Sequence, residues 1–211
     1  MRLLDWVQAA AHPVLRGEDL VLRLPVRADY AAWRDLREKS RAFLTPWEPV
    51  WSPDELSPEA FRARIRRYRQ DARERSSYTF LIFDASERSI YGGITLGRIQ
   101  RGVAQCGTIG YWMGEPHAGN GIMTAAVRLV CAFAFEAAGL HRLEAACLPR
   151  NERSSRLLRR CGFQREGHLR EYLKIAGVWE DHHLYALLAR EARAEATPPD
   201  AVHSYAFDLP R

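Results

Sequence analysis

Between Glu115 and Thr124 the chain reads E-P-H-A-G-N-G-I-M-T and runs directly into a long apolar-periodic segment. Gly119 and Gly121 flank Asn120 where a helix must begin. The first N–H groups of a helix have no intrahelical acceptor, and the helix dipole is positive at that end. Left uncovered by side chains, those groups suit a phosphate or pyrophosphate. The same residues also serve as a plain glycine-rich helix entry. A Walker loop would need Gly-Lys-Ser/Thr, and no lysine is present. A dinucleotide fingerprint would need a third glycine where Thr124 stands, after a parallel βαβ unit. A second run with chemical potential, Asn151-Glu152-Arg153-Ser154, opens a short helix that carries Leu157 and Leu158 and closes at Gly162.

Periodicity supplies the elements around these runs. Leu20 to Leu24 is a strand. Asp29 precedes a helix with Tyr30, Trp33 and Leu36 on one face. Thr45 to Pro58 holds four prolines with Trp47 and Trp51, which marks an ordered aromatic loop. Ser57 then caps a helix with Pro58 at its first position. That helix buries Phe61, Ile65 and Tyr68 and turns Arg62, Arg66, Arg69 and Arg73 outward. Strands follow at Tyr78–Phe83, Ile90–Gln100 (with a bulge expected at Gly92-Gly93) and Gly107–Met113. The helix after Gly121 places Met123, Val127, Val130, Ala134 and Ala138 inward and ends at Gly139. His141–Cys147 is a strand, and Phe163–Ile175 and Val178–Leu188 form a hairpin around Ala176-Gly177. This order predicts an α/β fold of the α+β type, with a mixed, mostly antiparallel sheet. The domain spans 19–190, after a leader at 1–18 and before a mobile tail at 191–211.

Composition narrows the class. A chain of 211 residues that is 47% hydrophobic and 27% charged is an ordinary globular protein. All its basic residues except Lys39 and Lys174 are arginines, and the net charge is +5. Cys106, Cys131, Cys147 and Cys161 form no C-x-x-C pair, so a zinc site and a disulfide framework both lack support. No run of 18 apolar residues occurs, and no secretory signal pattern opens the chain, so the expectation is a cytoplasmic protein with no metal and no membrane partner.

The glycine turn and long helix, followed by N-x-x-S and Cys161-Gly162-Phe163, resemble the GNAT acetyltransferases. Pro46-Trp47-Glu48-Pro49, Gly110-Tyr111-Trp112, Gly121-Ile122-Met123-Thr124, Glu166-Gly167 and Gly177-Val178-Trp179-Glu180-Asp181-His182 resemble the RimJ/RimL branch, which acetylates protein N-termini. The likeness runs from about Leu20 to Leu188. It implies the GNAT acyl-CoA N-acyltransferase fold, acetyl-CoA as donor, and two strands that splay to admit the pantetheine arm. Backbone of Trp112, Met113 and Gly114 would line that arm. Backbone N–H groups of Gly119, Asn120, Gly121, Met123 and Thr124 would cradle the pyrophosphate, and Asn151 would hold the cofactor's amide arm or an adjacent water. Ala118 and Met123 depart from the commoner Gln or Arg and small residue, and Leu158 stands where many relatives carry a Tyr general acid.

With that Tyr missing, the resemblance implies Ser154, the serine of N-x-x-S, as the acid that protonates the CoA sulfur; the alternative is a packing or capping role. Cys147 reads as a buried wall. Glu171 is the first candidate base, against a solvated edge-strand charge. Glu48 serves acceptor recognition or proton removal, and Trp47 and Trp51 wall the acceptor slot or simply pack. Asp181 is structural, and His182 and His183 face opposite sides of their strand. A protein α-amine, with pKa about 7.7–8, costs roughly 3.5 kcal/mol less to deprotonate at neutral pH than Lys near 10.4. The reading is a protein N-α-acetyltransferase acting by direct attack on a protein N-terminus, a ribosomal protein by resemblance, as monomer or homodimer. The Arg62–Arg75 helix is a candidate contact for ribosomal RNA. The alternatives are a small-amine or antibiotic acetyltransferase, and a non-catalytic acyl-CoA-binding or RNA-associated protein.

Overall fold

The computed structural model describes residues 12–195 and 205–207. The expectations for residues 1–11 and for 196–204 and 208–211 of the tail lie outside the described residues. Among the described residues, nine strands form one sheet: β1 (Pro13–Arg16), β2 (Leu20–Arg23), β3 (Tyr78–Asp84), β4 (Ile90–Gln100), β5 (Cys106–Met113), β6 (Arg142–Cys147), β7 (Gln164–Ile175), β8 (Val178–Leu188) and β9 (Tyr205–Phe207). Their order is β7-β8-β6-β5-β4-β3-β2-β1-β9. Every neighbouring pair is antiparallel except β5–β6. The mixed, mostly antiparallel α/β sheet expected from the element order is therefore present.

The helices are α1 (Tyr30–Lys39), the single turn α2 (Arg41–Leu44), α3 (Pro58–Arg73), α4 (Ile122–Ala132), α5 (Glu152–Arg160) and α6 (Ala189–Glu195). Strand alternation sends apolar residues to both faces of the sheet. Leu22, Phe80, Ile82, Ile94 and Leu96 meet Ala126, Val127 and Val130 of α4 on one side. Val21, Leu81 and Phe83 meet Trp33 and Leu36 of α1 and Phe61 and Ile65 of α3 on the other. Ser57 caps α3 as expected, its Oγ accepting from the Ala60 N–H at 3.1 Å.

Three local readings change. Residues 13–16, assigned to the leader, pair with β2, because Pro13 and Leu15 alternate inward with Val21 and Leu22 beside them. The bulge in β4 leaves Tyr91 unpaired, between Phe83↔Ile90 and Ile82↔Gly92, so it precedes the glycines. The helix after Gly121 does not run unbroken to Ala138; it widens into a π-turn over Phe133–Ala137.

Gly92 and Gly93 have a different task. A Cβ on Gly93 would lie 2.4 Å from Trp112 Nε1, so the Trp112 indole lies across the bare backbone of β4. Gly114 plays the same part for α1, where a Cβ would meet Leu36 Cδ1 at 2.4 Å.

Candidate active site

Strands β5 and β6 pair only over Cys106–Thr108 and Arg142–Glu144. Beyond Thr108, β5 keeps its ladder with β4 as far as Met113, while β6 keeps β8 as far as Cys147. The two parallel strands thus part into a notch. A strand edge without a partner presents alternate N–H and C=O groups to whatever enters. Trp112, Met113 and Gly114 lie at the open end of this edge.

The glycine turn stands at the start of α4, next in the chain after β5. Gly119 has φ 91° and Gly121 φ 78°, the left-handed region where glycine is at ease. An added Cβ on either would meet nothing within 4 Å, so the space over the turn is open. The first intrahelical bond runs from the Ala125 N–H to the Gly121 carbonyl, which leaves the N–H groups of Ile122, Met123 and Thr124 ahead of it. Among the described residues no side chain caps the start of this helix. The Met123 side chain is in the core, so only its backbone faces the turn. These residues fit a diphosphate group, held by backbone N–H groups on the positive end of the dipole.

Asn151 and Ser154 begin α5. The Asn151 Oδ1 accepts the Ser154 N–H at 3.1 Å, so Asn151 caps the helix and keeps its Nδ2 as the remaining donor. Ser154 is not the cap. Its Oγ lies 2.8 Å from the Tyr111 hydroxyl, which reaches from the unpaired part of β5. Burial pushes the Tyr111 phenol far above its ordinary range, so it stays protonated. Cys147 is buried, with its Sγ 3.5 Å from the Ser155 Oγ.

On the α1–α3 side of the sheet a cavity of about 450 Å³ opens beside Gly110, Tyr111 and Trp112. Glu48 lines it but is not a free carboxylate. Arg37 donates to both its oxygens at 2.7 and 2.8 Å, and Trp51 Nε1 donates at 2.7 Å. Arg37 is buried, its guanidinium 4.4 Å from the Trp51 ring and 4.9 Å from the Trp112 ring. Glu55, also on the cavity wall, pairs with Arg64 at 2.6 Å. Of the two loop tryptophans, Trp51 lines the cavity; Trp47 lies outside its lining, under Arg150 at 5.9 Å.

Glu171 sits in the irregular stretch of the β7–β8 ladder between Leu169 and Leu173, with φ 46° and an exposed side chain. Its backbone N–H donates to Asp181 Oδ1 at 2.9 Å, while His168 Nε2 lies 2.7 Å from Asp181 Oδ2. The Glu171 N–H and His168 hold the Asp181 carboxyl below its usual range. Asp181 is thus a brace for the strand that carries Glu171. His182 is buried against Tyr172, and the His183 ring lies tilted beside that of His168, on opposite faces as expected. No hydrogen bond joins Glu171 to Ser154 among the described residues.

Arg37, Tyr111, Glu55 and Arg64 were not singled out from the chain. Their arrangement depends on partners far apart in sequence, and only the G-Y-W run at Tyr111 offered a local signal.

The acetyltransferase (GNAT) domain matches residues 19–164. The chain is 38% identical over 175 residues to the protein named "Probable N-acetyltransferase YjcK" of Bacillus subtilis, covering 83% of this chain and 97% of that protein. It is 35% identical over 175 residues to the [Ribosomal protein uS5]-alanine N-acetyltransferase of Escherichia coli, covering 82% and 89%. Among solved structures, Mycobacterium smegmatis RimJ in complex with CoA-disulfide superposes with a TM-score of 0.78 at 32% identity, covering 85% of this chain and 87% of that one.

Proposed function

The chain belongs to the GNAT acetyltransferase family, and we propose that it moves the acetyl group of acetyl-CoA to the N-terminal amine of a ribosomal protein. The observation that supports this most directly is the course of Tyr111: it borders the 450 Å³ cavity and reaches the Ser154 hydroxyl at the strand notch. A donor in the notch and an acceptor in the cavity would meet at that residue.

In this reading the diphosphate of acetyl-CoA rests on the backbone N–H groups of Gly119, Asn120, Gly121, Met123 and Thr124. Backbone of Trp112, Met113 and Gly114 lines the pantetheine arm, and Asn151 offers its Nδ2. A β5 N–H at Met113 polarises the thioester carbonyl. The acceptor amine loses its proton through water to the exposed Glu171 carboxylate and attacks the carbonyl carbon. The new N–C bond forms, the C–S bond breaks, the departing thiolate takes the Ser154 proton, and the serine oxygen recovers a proton from the second one the nitrogen sheds on becoming an amide. Glu48 and Trp47 shape the front loop at the acceptor entrance; the ion pair of Glu48 with Arg37 makes it a fixed wall.

A polypeptide acceptor is supported by what surrounds the entrance. Val50, on the cavity wall, is 70% exposed, and Val178 and Trp179 on the neighbouring hairpin are 60% and 58% exposed. The hairpin is tied to the loop by the Ala176 N–H, which donates to the Glu48 carbonyl at 2.9 Å. An apolar rim of this kind suits a chain that continues beyond its first residue. The cavity carboxylates Glu48 and Glu55 are offset by Arg37 and Arg64, so no surplus negative charge invites a polyamine. Arg66, Arg69 and Arg73 form an exposed ridge on α3 with no ion pair among the described residues, which suits the phosphate backbone of ribosomal RNA.

The test compares one peptide with a free N-terminus against the same peptide N-terminally blocked, each with an internal lysine. Mass spectrometry is expected to place the acetyl group on the α-amine of the free peptide and none on the blocked one. Acetylation of lysine in both would overturn the proposal.

A further inference from the structure

We propose that Tyr111 is a positioning residue for Ser154: the phenol O–H donates to the Ser154 Oγ and leaves the serine's own proton directed into the notch. The inference rests on the reading of Ser154 as the acid and deepens it by fixing which way its hydroxyl points.

The geometry is specific. Tyr111 stands on β5 past the last residue paired with β6, and Ser154 stands in the first turn of α5 on the far wall of the notch. Their oxygens are 2.8 Å apart, so the bond bridges the two walls. Either oxygen can donate by distance alone. The chemistry of the two groups decides: a phenol is a stronger acid than an alcohol, so it is the better donor and the alcohol the better acceptor. The groups nearest Tyr111 include Ser154 on α5, Cys147 on β6, Cys161 after α5 and Tyr185 on β8, and burial keeps the phenol protonated. The Ser154 backbone is held by Asn151, so the side chain swings about a fixed anchor. With its oxygen accepting from Tyr111, the serine has one O–H left.

A second pair one residue along shows what a purely structural tyrosine–serine bond looks like. Tyr185 donates to the Ser155 Oγ at 3.0 Å, but Tyr185 is 0% exposed and Ser155 only 8%. Nothing could reach that hydroxyl. Tyr111 and Ser154 are both only half-buried.

The test is a double-mutant cycle in steady-state turnover of acetyl-CoA with a peptide acceptor. Tyr111→Phe is expected to lower kcat about tenfold, with KM for acetyl-CoA held within about twofold. Tyr111→Phe combined with Ser154→Ala is expected to be no slower than Ser154→Ala alone, because the phenol then has no serine to orient. Tyr185→Phe reports what loss of the buried pair does. If the Tyr111 and Ser154 losses multiply, or if Tyr111→Phe changes only KM, the positioning role is overturned. If Ser154→Ala keeps full kcat, the assignment of Ser154 as acid falls instead. Should Tyr111→Phe fold poorly, 3-fluorotyrosine at this position keeps the shape with a more acidic phenol. A phenol that only donates predicts kcat within about twofold of the parent for this analogue, and a loss as large as that of Ser154→Ala contradicts the proposal.

Discussion

The Arg37 guanidinium closes a two-point ion pair on the Glu48 carboxylate while lying between the indoles of Trp51 and Trp112. One buried cation therefore joins α1, the front loop and β5. Removing Glu48 leaves the buried guanidinium with only the longer contact to Glu55 at 4.0 Å, which costs more than the pair contributes when intact. Glu48→Gln is expected to destabilise the protein by roughly 3 kcal/mol. Urea denaturation measures this, and the acceptor KM should rise as the loop loosens. A carboxylate acting only as a base would lower kcat without loss of stability.

Gly93 is bare because Trp112 Nε1 occupies the place of its Cβ. Gly93→Ala is expected to cost about 1–3 kcal/mol by forcing the indole off β4. Because Trp112 also covers Arg37, intrinsic tryptophan fluorescence should change in the folded state of this variant.

Much of the scaffold was legible from short-range pattern. The Ser57 cap, the α3 stripe of Phe61 and Ile65, the glycine turn before α4 and the Ala176-Gly177 hairpin all follow from local rules of capping, periodicity and turn chemistry. What was not legible depended on distant partners. Residues 13–16 are too short to read as a strand until β2 is beside them. Glu48 looks like a free carboxylate until Arg37 arrives from α1, and the capping alternative for Ser154 falls only when its N–H is seen bonded to Asn151. Tyr111 reads as one aromatic in a strand, and its hydroxyl acquires a partner only because β5 and β6 part.

Asp181 accepts from the Glu171 N–H and from His168, and both interactions lower its carboxyl pKa. Its contribution is complete above the ordinary carboxylate range and is lost as pH falls through the lowered folded value. Asp181→Asn is expected to abolish this acid-side dependence of stability and to lower kcat by freeing the Glu171 backbone. Thermal melts across pH 3 to about 7 check the first effect, since the unfolded carboxylate titrates near pH 3.9. A melt profile identical to that of the parent protein would contradict it.

The exposed ridge of Arg66, Arg69 and Arg73 should act on RNA and not on the chemistry. Changing all three to Gln is expected to leave peptide turnover unchanged while reducing the slope of log affinity against log salt by about 2 to 3 for an RNA hairpin. An unchanged slope would show that this ridge does not contact RNA.

The central claim is that this acetyltransferase acts on a polypeptide α-amine. Thiol release from acetyl-CoA, measured side by side on peptides beginning Ala, Ser, Met or Gly and on spermidine and an aminoglycoside, tests it most directly. Turnover is expected on the peptides, led by Ala or Ser, with rates that rise as the peptide lengthens past its first residues onto the rim of Val50 and Trp179. Turnover confined to the small amines would contradict it.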